Sequence, residues 1–153
     1  MIKNNKYING KIYKIQTLNA DEKIYIGSTT NKLYQRMARH RYDYKKYKDQ
    51  LKTKTSCYDL FDKYGIDNCI ITLIENYPCN SKEELLRKEA EYIRDRQIIC
   101  VNKYIPLRTQ IQYREENKDI IKERKRIYYL KNKDKISEKS KKAYLIKKQN
   151  KIE

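Results

Sequence analysis

Residues 10–40 read GKIYKIQTLNADEKIYIGSTTNKLYQRMARH. The segments Gly10–Ile15 and Lys23–Gly27 alternate apolar and polar side chains, with β-branched or aromatic residues at the apolar positions, which is typical of half-buried strands. The turn-forming residues at positions 18–22 favour a β-hairpin between them. Several possible N-caps follow at positions 28–31, and they predict a helix that runs to about Tyr47.

That helix carries Arg36 and His40 one turn apart, so the two side chains share a face. At about 100° per residue, His40 falls within the apolar stripe of the helix and Arg36 at its edge. The apolar members of the stripe are Leu33, Met37, Tyr44 and Tyr47. Taken singly, a histidine in this position is more often a packed side chain than a catalyst. A lone arginine there is more often a surface charge or a phosphate contact.

Further elements are predicted up to Pro106. Residues 56–64 form an amphipathic helix that Gly65 ends, and the apolar run 69–75 forms a third strand. A capping box from Ser81 to Glu84 begins another helix, which runs to about Gln97. Its inward residues are Leu85, Leu86, Ala90 and Ile93. Residues 98–102 then return to the core.

Composition limits the class of protein. The 153 residues include 37 Lys and Arg against 20 Asp and Glu, a formal net charge of +17, which attracts polyanions such as nucleic acid or an anionic membrane surface. No run of 18 apolar residues and no signal peptide is present, so we expect a soluble, intracellular protein. The cysteines at 57, 69, 79 and 100 form no C-x-x-C pair, and they predict free thiols rather than a zinc site.

The C-terminal residues 106–153 differ in character, with 16 Lys and Arg and 7 Asp and Glu. Residues 116–120 recur in similar form at 131–135, a step of about fifteen. The apolar stripe is too thin for a separate core. We therefore divide the chain into a domain over 1–105 and a basic, repetitive, helical or partly disordered nucleic-acid-binding tail over 106–153. The candidate nucleic-acid contacts are Arg39, Arg41, Lys122, Arg124, Lys125, Arg126, Lys141 and Lys142.

Glu89 is the most informative single residue. It stands four residues after Leu85 and four before Ile93, on the line of its helix that faces the core. A carboxylate there is costly unless a cation, a metal or a donor meets it. A structural ion pair with Arg36 or Lys11 and a functional metal ligand both remain open.

The residues gain meaning as a set. A basic protein with tyrosines on paired strands, an arginine and a histidine one turn apart, and an acid on the core line of a later helix can hydrolyse a phosphodiester. A metal would neutralise the phosphate, a phenol or imidazole would activate water, and the guanidinium would hold developing charge. Singly, Tyr13 and Tyr25 are ordinary core residues.

Residues 10–105 resemble the GIY-YIG nuclease family. Tyr25-Ile26-Gly27 matches the second half of the name motif, Lys11-Ile12-Tyr13 matches the first half with lysine in place of glycine, and Leu33-x-x-Arg36-x-x-x-His40 matches the family's helix. The resemblance implies an α+β fold with a small three-stranded antiparallel sheet flanked by helices, to which this chain adds a basic helical C-terminal tail.

The resemblance also implies roles. Glu89 would be the protein ligand of Mg²⁺ or Mn²⁺, and Tyr13 the general base, supported by Tyr25. Arg36 would contact the phosphate, and His40 would assist proton transfer or orientation. Gly27, Lys11 and Asn102 would support the site.

The function implied is a divalent-metal-dependent endonuclease that acts on double-stranded DNA without a small-molecule cofactor. A non-catalytic basic DNA- or RNA-binding protein on the same scaffold is the alternative. A membrane-surface or self-assembling protein is a third class, disfavoured by the thin apolar face of the tail. The oligomeric state stays open.

Overall fold

The computed structural model describes residues 5–18 and 23–149, and for residues 147–149 the backbone alone. The predicted turn residues 19–22 lie outside the described residues. The chain divides into two compact units, residues 1–107 and residues 108–153.

The first unit is built on a three-stranded antiparallel sheet. Its strands are β1 (Lys11–Thr17), β2 (Tyr25–Thr29) and β3 (Cys69–Asn76), in the order β2-β1-β3. In this register Tyr13 of the central strand lies opposite Gly27 of β2. The predicted α+β fold with three antiparallel strands is thus confirmed, and β2 forms one outer edge.

Three helices pack on the sheet: α1 (Leu33–Lys48), α2 (Tyr58–Tyr64) and α3 (Lys82–Asp95), with short 3₁₀ turns at Lys6–Asn9 and Ile66–Asn68. The N-cap of α1 is Lys32. The predicted caps at 28–31 were wrong: β2 continues through Thr29, and the helix begins only after Lys32. The capping box of α3 is half correct. Ser81 accepts from the Glu84 N–H at 3.2 Å, but the Glu84 carboxylate accepts from the Asn80 N–H.

Both faces of the sheet are covered. On one face Ile12 packs against α3, and on the other Tyr13 and Ile15 pack against α1 and α2. The partners from α3 are Leu85, Ala90 and Ile93, and those from α1 and α2 include Met37, Leu60 and Phe61. Because side chains of a strand alternate between faces, neighbouring residues of β1 and β2 reach helices on opposite sides.

The segment after α3 covers the outer edge of β2. Ile24 donates its N–H to the Ile99 carbonyl at 2.9 Å and accepts from the Val101 N–H at 2.8 Å. The side-chain amide of Asn102 then bonds both backbone groups of Ile26, at 2.9 and 2.8 Å. The edge is therefore paired as far as Ile26, and this limits unwanted strand pairing.

The second unit consists of α4 (Gln110–Glu116) and α5 (Lys118–Gln149), which agrees with the predicted helical tail. Its repeat is visible in the hydrogen bonds. Asn117 donates its side-chain amide to the Tyr113 carbonyl at 2.9 Å, and fifteen residues later Asn132 donates to the Tyr128 carbonyl at 2.8 Å. No helix among the described residues has the length and apolar character needed to span a membrane.

Candidate active site

The hydroxyl of Tyr13 is the centre of a buried hydrogen-bond cluster. Its side chain is fully buried, and its oxygen accepts from Nε of Arg36 at 2.8 Å and lies 2.9 Å from Nε2 of His40. Arg36 and His40 stand one turn apart on α1, so the face that they share meets one phenol. These three predicted residues are therefore brought together.

The chemistry of the groups determines which of them donates each hydrogen bond in the cluster. A guanidinium can only donate, so Tyr13 accepts from Arg36 and its own proton must go elsewhere. Nε2 of His40 is placed to accept it, which leaves the imidazole proton on Nδ1. Nδ1 lies 3.6 Å from Sγ of Cys57, and that sulfur lies 3.3 Å from Oγ1 of Thr55.

Burial keeps the titratable side chains of this hydrogen-bond network neutral, apart from Arg36. It raises the pKa of Tyr13 to about 12, although the Arg36 charge opposes the rise. Burial, with the Arg36 charge, lowers the pKa of His40 to about 3. Burial also raises the pKa of the Cys57 thiol to about 11. At neutral pH the resting cluster is thus a phenol, an imidazole and a thiol beside one guanidinium.

Tyr25 and Gly27 of β2 complete this side of the site. The Tyr25 ring is half-buried, and its centroid lies 6.5 Å from that of Tyr13 and 5.9 Å from that of His40. Burial raises the pKa of its hydroxyl. A Cβ on Gly27 would lie 2.5 Å from the Tyr13 hydroxyl oxygen, so glycine is required for the phenol to occupy its position.

Glu89 reaches the same region from the other face of the sheet. It is 9% exposed, and the Ser28 hydroxyl donates to its Oε2 at 2.5 Å. Burial raises the pKa of this carboxyl, while the hydrogen bonds of Ser28 and the charge of Arg36 oppose the rise. The carboxylate is therefore turned inward, near the cationic end of the Tyr13 cluster.

The structural ion pair considered for Glu89 was wrong. The ion pairs among the described residues do not include this carboxylate. Lys11 instead donates to the Asn9 carbonyl at 2.8 Å. Arg36 acts on Glu89 by its charge, and its Nε bonds Tyr13.

Two clefts meet at these residues. The first, of about 400 Å³, is lined by Arg36, Glu89, Tyr25, Gly27 and Ser28, with Lys6 and Lys82 on its rim. The second, of about 550 Å³, is lined by Lys54, Ser56, Asn102 and Lys103 among others, and it shares Tyr25 and Glu89 with the first. The site thus lies at the end of β2, where α1 and α3 approach from opposite faces.

A family model for the GIY-YIG catalytic domain matches residues 9–105, well over half of the chain. The chain belongs to the GIY-YIG nuclease family. Comparisons with curated proteins and with solved structures gave no match. The predicted family is therefore confirmed, and the cluster of Tyr13, Arg36, His40 and Glu89 lies inside the matched region.

Two of the supporting residues and two of the nucleic-acid contacts predicted from the sequence lie at the margin of this GIY-YIG site or outside it. Lys11, in the place of the motif's first glycine, turns its amine to a neighbouring backbone carbonyl. Asn102 fixes the edge strand. Arg39 pairs with Asp43 at 3.2 Å, and Arg41 is exposed. The remaining predicted nucleic-acid contacts belong to the second unit.

Two residues of the GIY-YIG cluster, Ser28 and Cys57, were not predicted from the sequence. Ser28 stands two positions after Ile26, on the same face of β2, and this alternation could have indicated that it faces α3. Cys57 contacts His40 from seventeen residues away, and no local pattern signals such a contact. Among the described residues no group of three or more His, Cys, Asp or Glu could hold a metal ion.

Proposed function

We propose that this member of the GIY-YIG family is a divalent-metal-dependent endonuclease that hydrolyses phosphodiester bonds in DNA. One observation carries the proposal. Arg36 lines the same cleft as the buried carboxylate of Glu89, and its Nε donates to the hydroxyl of Tyr13. A carboxylate that would bind a cation and a guanidinium that would bind phosphate therefore line one cleft, and the guanidinium also contacts the phenol.

Glu89 would hold Mg²⁺ or Mn²⁺. A buried carboxylate that accepts a hydrogen bond from the Ser28 side chain gains from a cation that offsets its desolvation. Mg²⁺ commonly takes one or two carboxylates and fills its other positions with water and substrate phosphate, so a single acid fits. When bound, such an ion supplies charge neutralisation at the scissile phosphate and the leaving oxygen.

Arg36 would hold the phosphate. Its Nε is committed to Tyr13, and its other N–H groups are available to phosphate oxygens at the cleft. Because Arg36 touches the phenol as well, bound substrate and the water-activating group are kept in one geometry.

Tyr13 would activate the attacking water, with His40 as the acceptor of the phenol proton. With the pKa of Tyr13 at about 12 and that of His40 at about 3, the proton stays on Tyr13 in the resting enzyme. Positive charge at the cleft favours the phenolate, since a nearby cation lowers the pKa of an acid. Activation would therefore require that added positive charge, because the resting cluster keeps the phenol protonated and an anionic substrate by itself would raise the pKa of Tyr13 further. Tyr25 would fix the positions of both rings.

The test is nicking of supercoiled plasmid with Mg²⁺ or with EDTA. We expect Glu89→Gln to lose on the order of 100-fold or more in rate while still binding DNA. The matched control is Glu91→Gln, two residues along α3, where the exposed acid pairs with Lys88 at 3.3 Å. A Glu89→Gln protein that cuts at the parental rate would exclude Glu89 as the metal ligand.

The second candidate is a non-catalytic nucleic-acid-binding protein, which the net charge of +17 favours equally. It predicts DNA or RNA affinity without cutting under Mg²⁺ or Mn²⁺. In either case the basic tail would bind the phosphate backbone. Deletion of residues 107–153 should then weaken binding and reduce its salt dependence, because fewer counterions are released.

A further inference from the structure

The charges of α5 are segregated around the helix. At about 100° per residue, its four acidic residues from Lys118 to Ile146 fall within one arc of about 100°. They are Asp119, Glu123, Asp134 and Glu138. Of the basic residues in the same span, Lys141 alone lies in that arc. The helix therefore has an acidic face and a much wider basic face.

The basic face begins at a groove. Lys118, Lys122 and Lys125 follow one another along one line of α5, over about 10 Å at the helical rise per residue. With Arg114 of α4 they line a groove with a volume of about 690 Å³, which Tyr113 also lines. A row of cations in a concave surface suits a polyanion strand better than cations scattered over a convex one.

None of these four cations forms an ion pair within the part of this unit that the structure describes. The ion pairs among the described residues of this unit join Arg108 with Glu116, Arg126 with Glu123, and Lys142 with Glu138. Asp119 and Glu123 lie about 100° around the helix from Lys118 and Lys122. Asp119 also lies three residues before Lys122, but the ion pairs of the described residues do not include these two. Each of the four can therefore release counterions when it meets a phosphate.

We propose that the groove lined by Arg114, Lys118, Lys122 and Lys125 binds the phosphate backbone of DNA, with the acidic face of α5 turned away from it. The inference rests on the proposed function, since it names how the tail holds the same substrate. It adds Arg114 and Lys118 to the contacts expected from the sequence, and it removes Lys141, which lies on the acidic face.

The test separates the position of the charges from their number. In one full-length variant Lys118 exchanges with Asp119 and Lys122 with Glu123, that is K118D, D119K, K122E and E123K. In the matched control Asp134 exchanges with Lys135 and Glu138 with Lys139, further along the same helix. Both variants keep the parental composition and net charge, and circular dichroism checks that each keeps its helix content.

Binding to a fluorescent DNA duplex is measured by anisotropy in EDTA over a range of salt. We expect the first variant to bind at least tenfold more weakly than the control variant, with a salt slope smaller by about two because two phosphate contacts are lost. Equal affinities for the parent and both variants, or equal losses of affinity in the two variants, would show that DNA does not bind in this groove.

This outcome is independent of cutting. If the first exchange weakens binding in a protein that never nicks plasmid, the groove binds DNA and the nuclease proposal is wrong. If the protein nicks plasmid in a Glu89-dependent way and the exchange does not change DNA binding, only the proposal of the groove is wrong.

Discussion

Gly27 lies directly against the hydroxyl of Tyr13, on the strand that pairs with it, and a Cβ at this position would stand 2.5 Å from the phenol oxygen and 2.6 Å from Cζ. The glycine of the second motif and the tyrosine of the first are thus two halves of one contact. In this chain the first motif lacks its glycine, while the glycine that accommodates the phenol is kept.

Gly27→Ala should therefore displace the Tyr13 ring and break its bonds to Arg36 and His40. We expect a loss of about 1–3 kcal/mol in the free energy of unfolding, as for other overpacked cores, and a loss of nicking larger than the folded fraction explains. Urea denaturation and plasmid nicking measure the two effects. A Gly27→Ala protein as stable and active as the parent would show that the contact is dispensable.

His40 should make the protein sensitive to mild acid. Its pKa is lowered from 6.5 to about 3 in the folded state, so between these values the unfolded chain binds the extra proton. The free energy of unfolding is then fully retained above about pH 6.5 and falls as the pH drops towards 3. From pH 7.5 to pH 5 this amounts to about 2 kcal/mol.

Urea denaturation of the parent and of His40→Gln at pH 7.5 and pH 5 isolates this effect, because the variant lacks the titrating group. The chain has one histidine, so NMR titration of the imidazole is unambiguous. A midpoint near pH 6.5 in the folded protein would contradict the prediction.

The direction of the hydrogen-bond chain predicts the tautomer of His40. Because Arg36 donates to Tyr13 and Tyr13 donates to Nε2, the imidazole proton should reside on Nδ1, towards Cys57. Nitrogen-15 NMR of the single histidine distinguishes the two tautomers. In Tyr13→Phe the donor to Nε2 is gone, and the population should shift towards the Nε2–H form. A parent protein already in that form would reverse the direction inferred here.

Local pattern was enough to predict most of the scaffold and the faces of its helices. Alternation along β1 and β2 predicted the strands that hold Tyr13 and Tyr25, and the spacing of four predicted that Arg36 and His40 share a face. Glu89 was identified because a carboxylate on the core line of a helix needs an explanation. Each of these inferences depends only on the repeat of side-chain positions within a single strand or helix.

What could not be predicted depends on contacts between distant segments. That Glu89 forms no ion pair with Lys11 or Arg36 is visible only in the structure, where Lys11 turns to Asn9 and Nε of Arg36 bonds Tyr13. Cys57 behind His40 has no periodic signal. The charge segregation of α5 requires one continuous helix from Lys118 to Gln149, whereas the sequence allowed a partly disordered tail.

The Glu89 carboxylate should lower the free energy of unfolding at neutral pH. Burial raises its pKa above 4.5 in the folded state, so the folded protein favours the protonated acid and loses stability as the pH rises through the folded pKa. Glu89→Gln should therefore be more stable than the parent at pH 8, on the order of 1 kcal/mol, with the difference vanishing below about pH 4.5.

Metal addition gives a second signature of the same residue. Mg²⁺ that binds only the folded state raises the melting temperature of the parent, and it should leave that of Glu89→Gln unchanged. Glu91→Gln should respond as the parent does. Thermal melts at pH 8 with and without Mg²⁺ measure both effects, and an equal Mg²⁺ response in all three proteins would place the ion elsewhere.

Asn102 should act on the site through the edge strand. Its amide satisfies both the N–H and the carbonyl of Ile26, one residue before the glycine that contacts Tyr13. Asn102→Ala leaves two backbone groups without their partner, and we expect a loss of about 1–3 kcal/mol in the free energy of unfolding.

The matched control is Lys103→Ala, which removes only an exposed ion pair with Asp59 and should cost less than about 1 kcal/mol. Because β2 carries both Tyr25 and Gly27, the Asn102→Ala protein should also show faster hydrogen exchange at the Ile26 amide and slower nicking while it remains folded. If hydrogen exchange at the Ile26 amide is as slow as in the parent, the side chain of Asn102 does not hold the strand. Asn102 lines the second cleft, and its role in the site would then have to come from contact with substrate there.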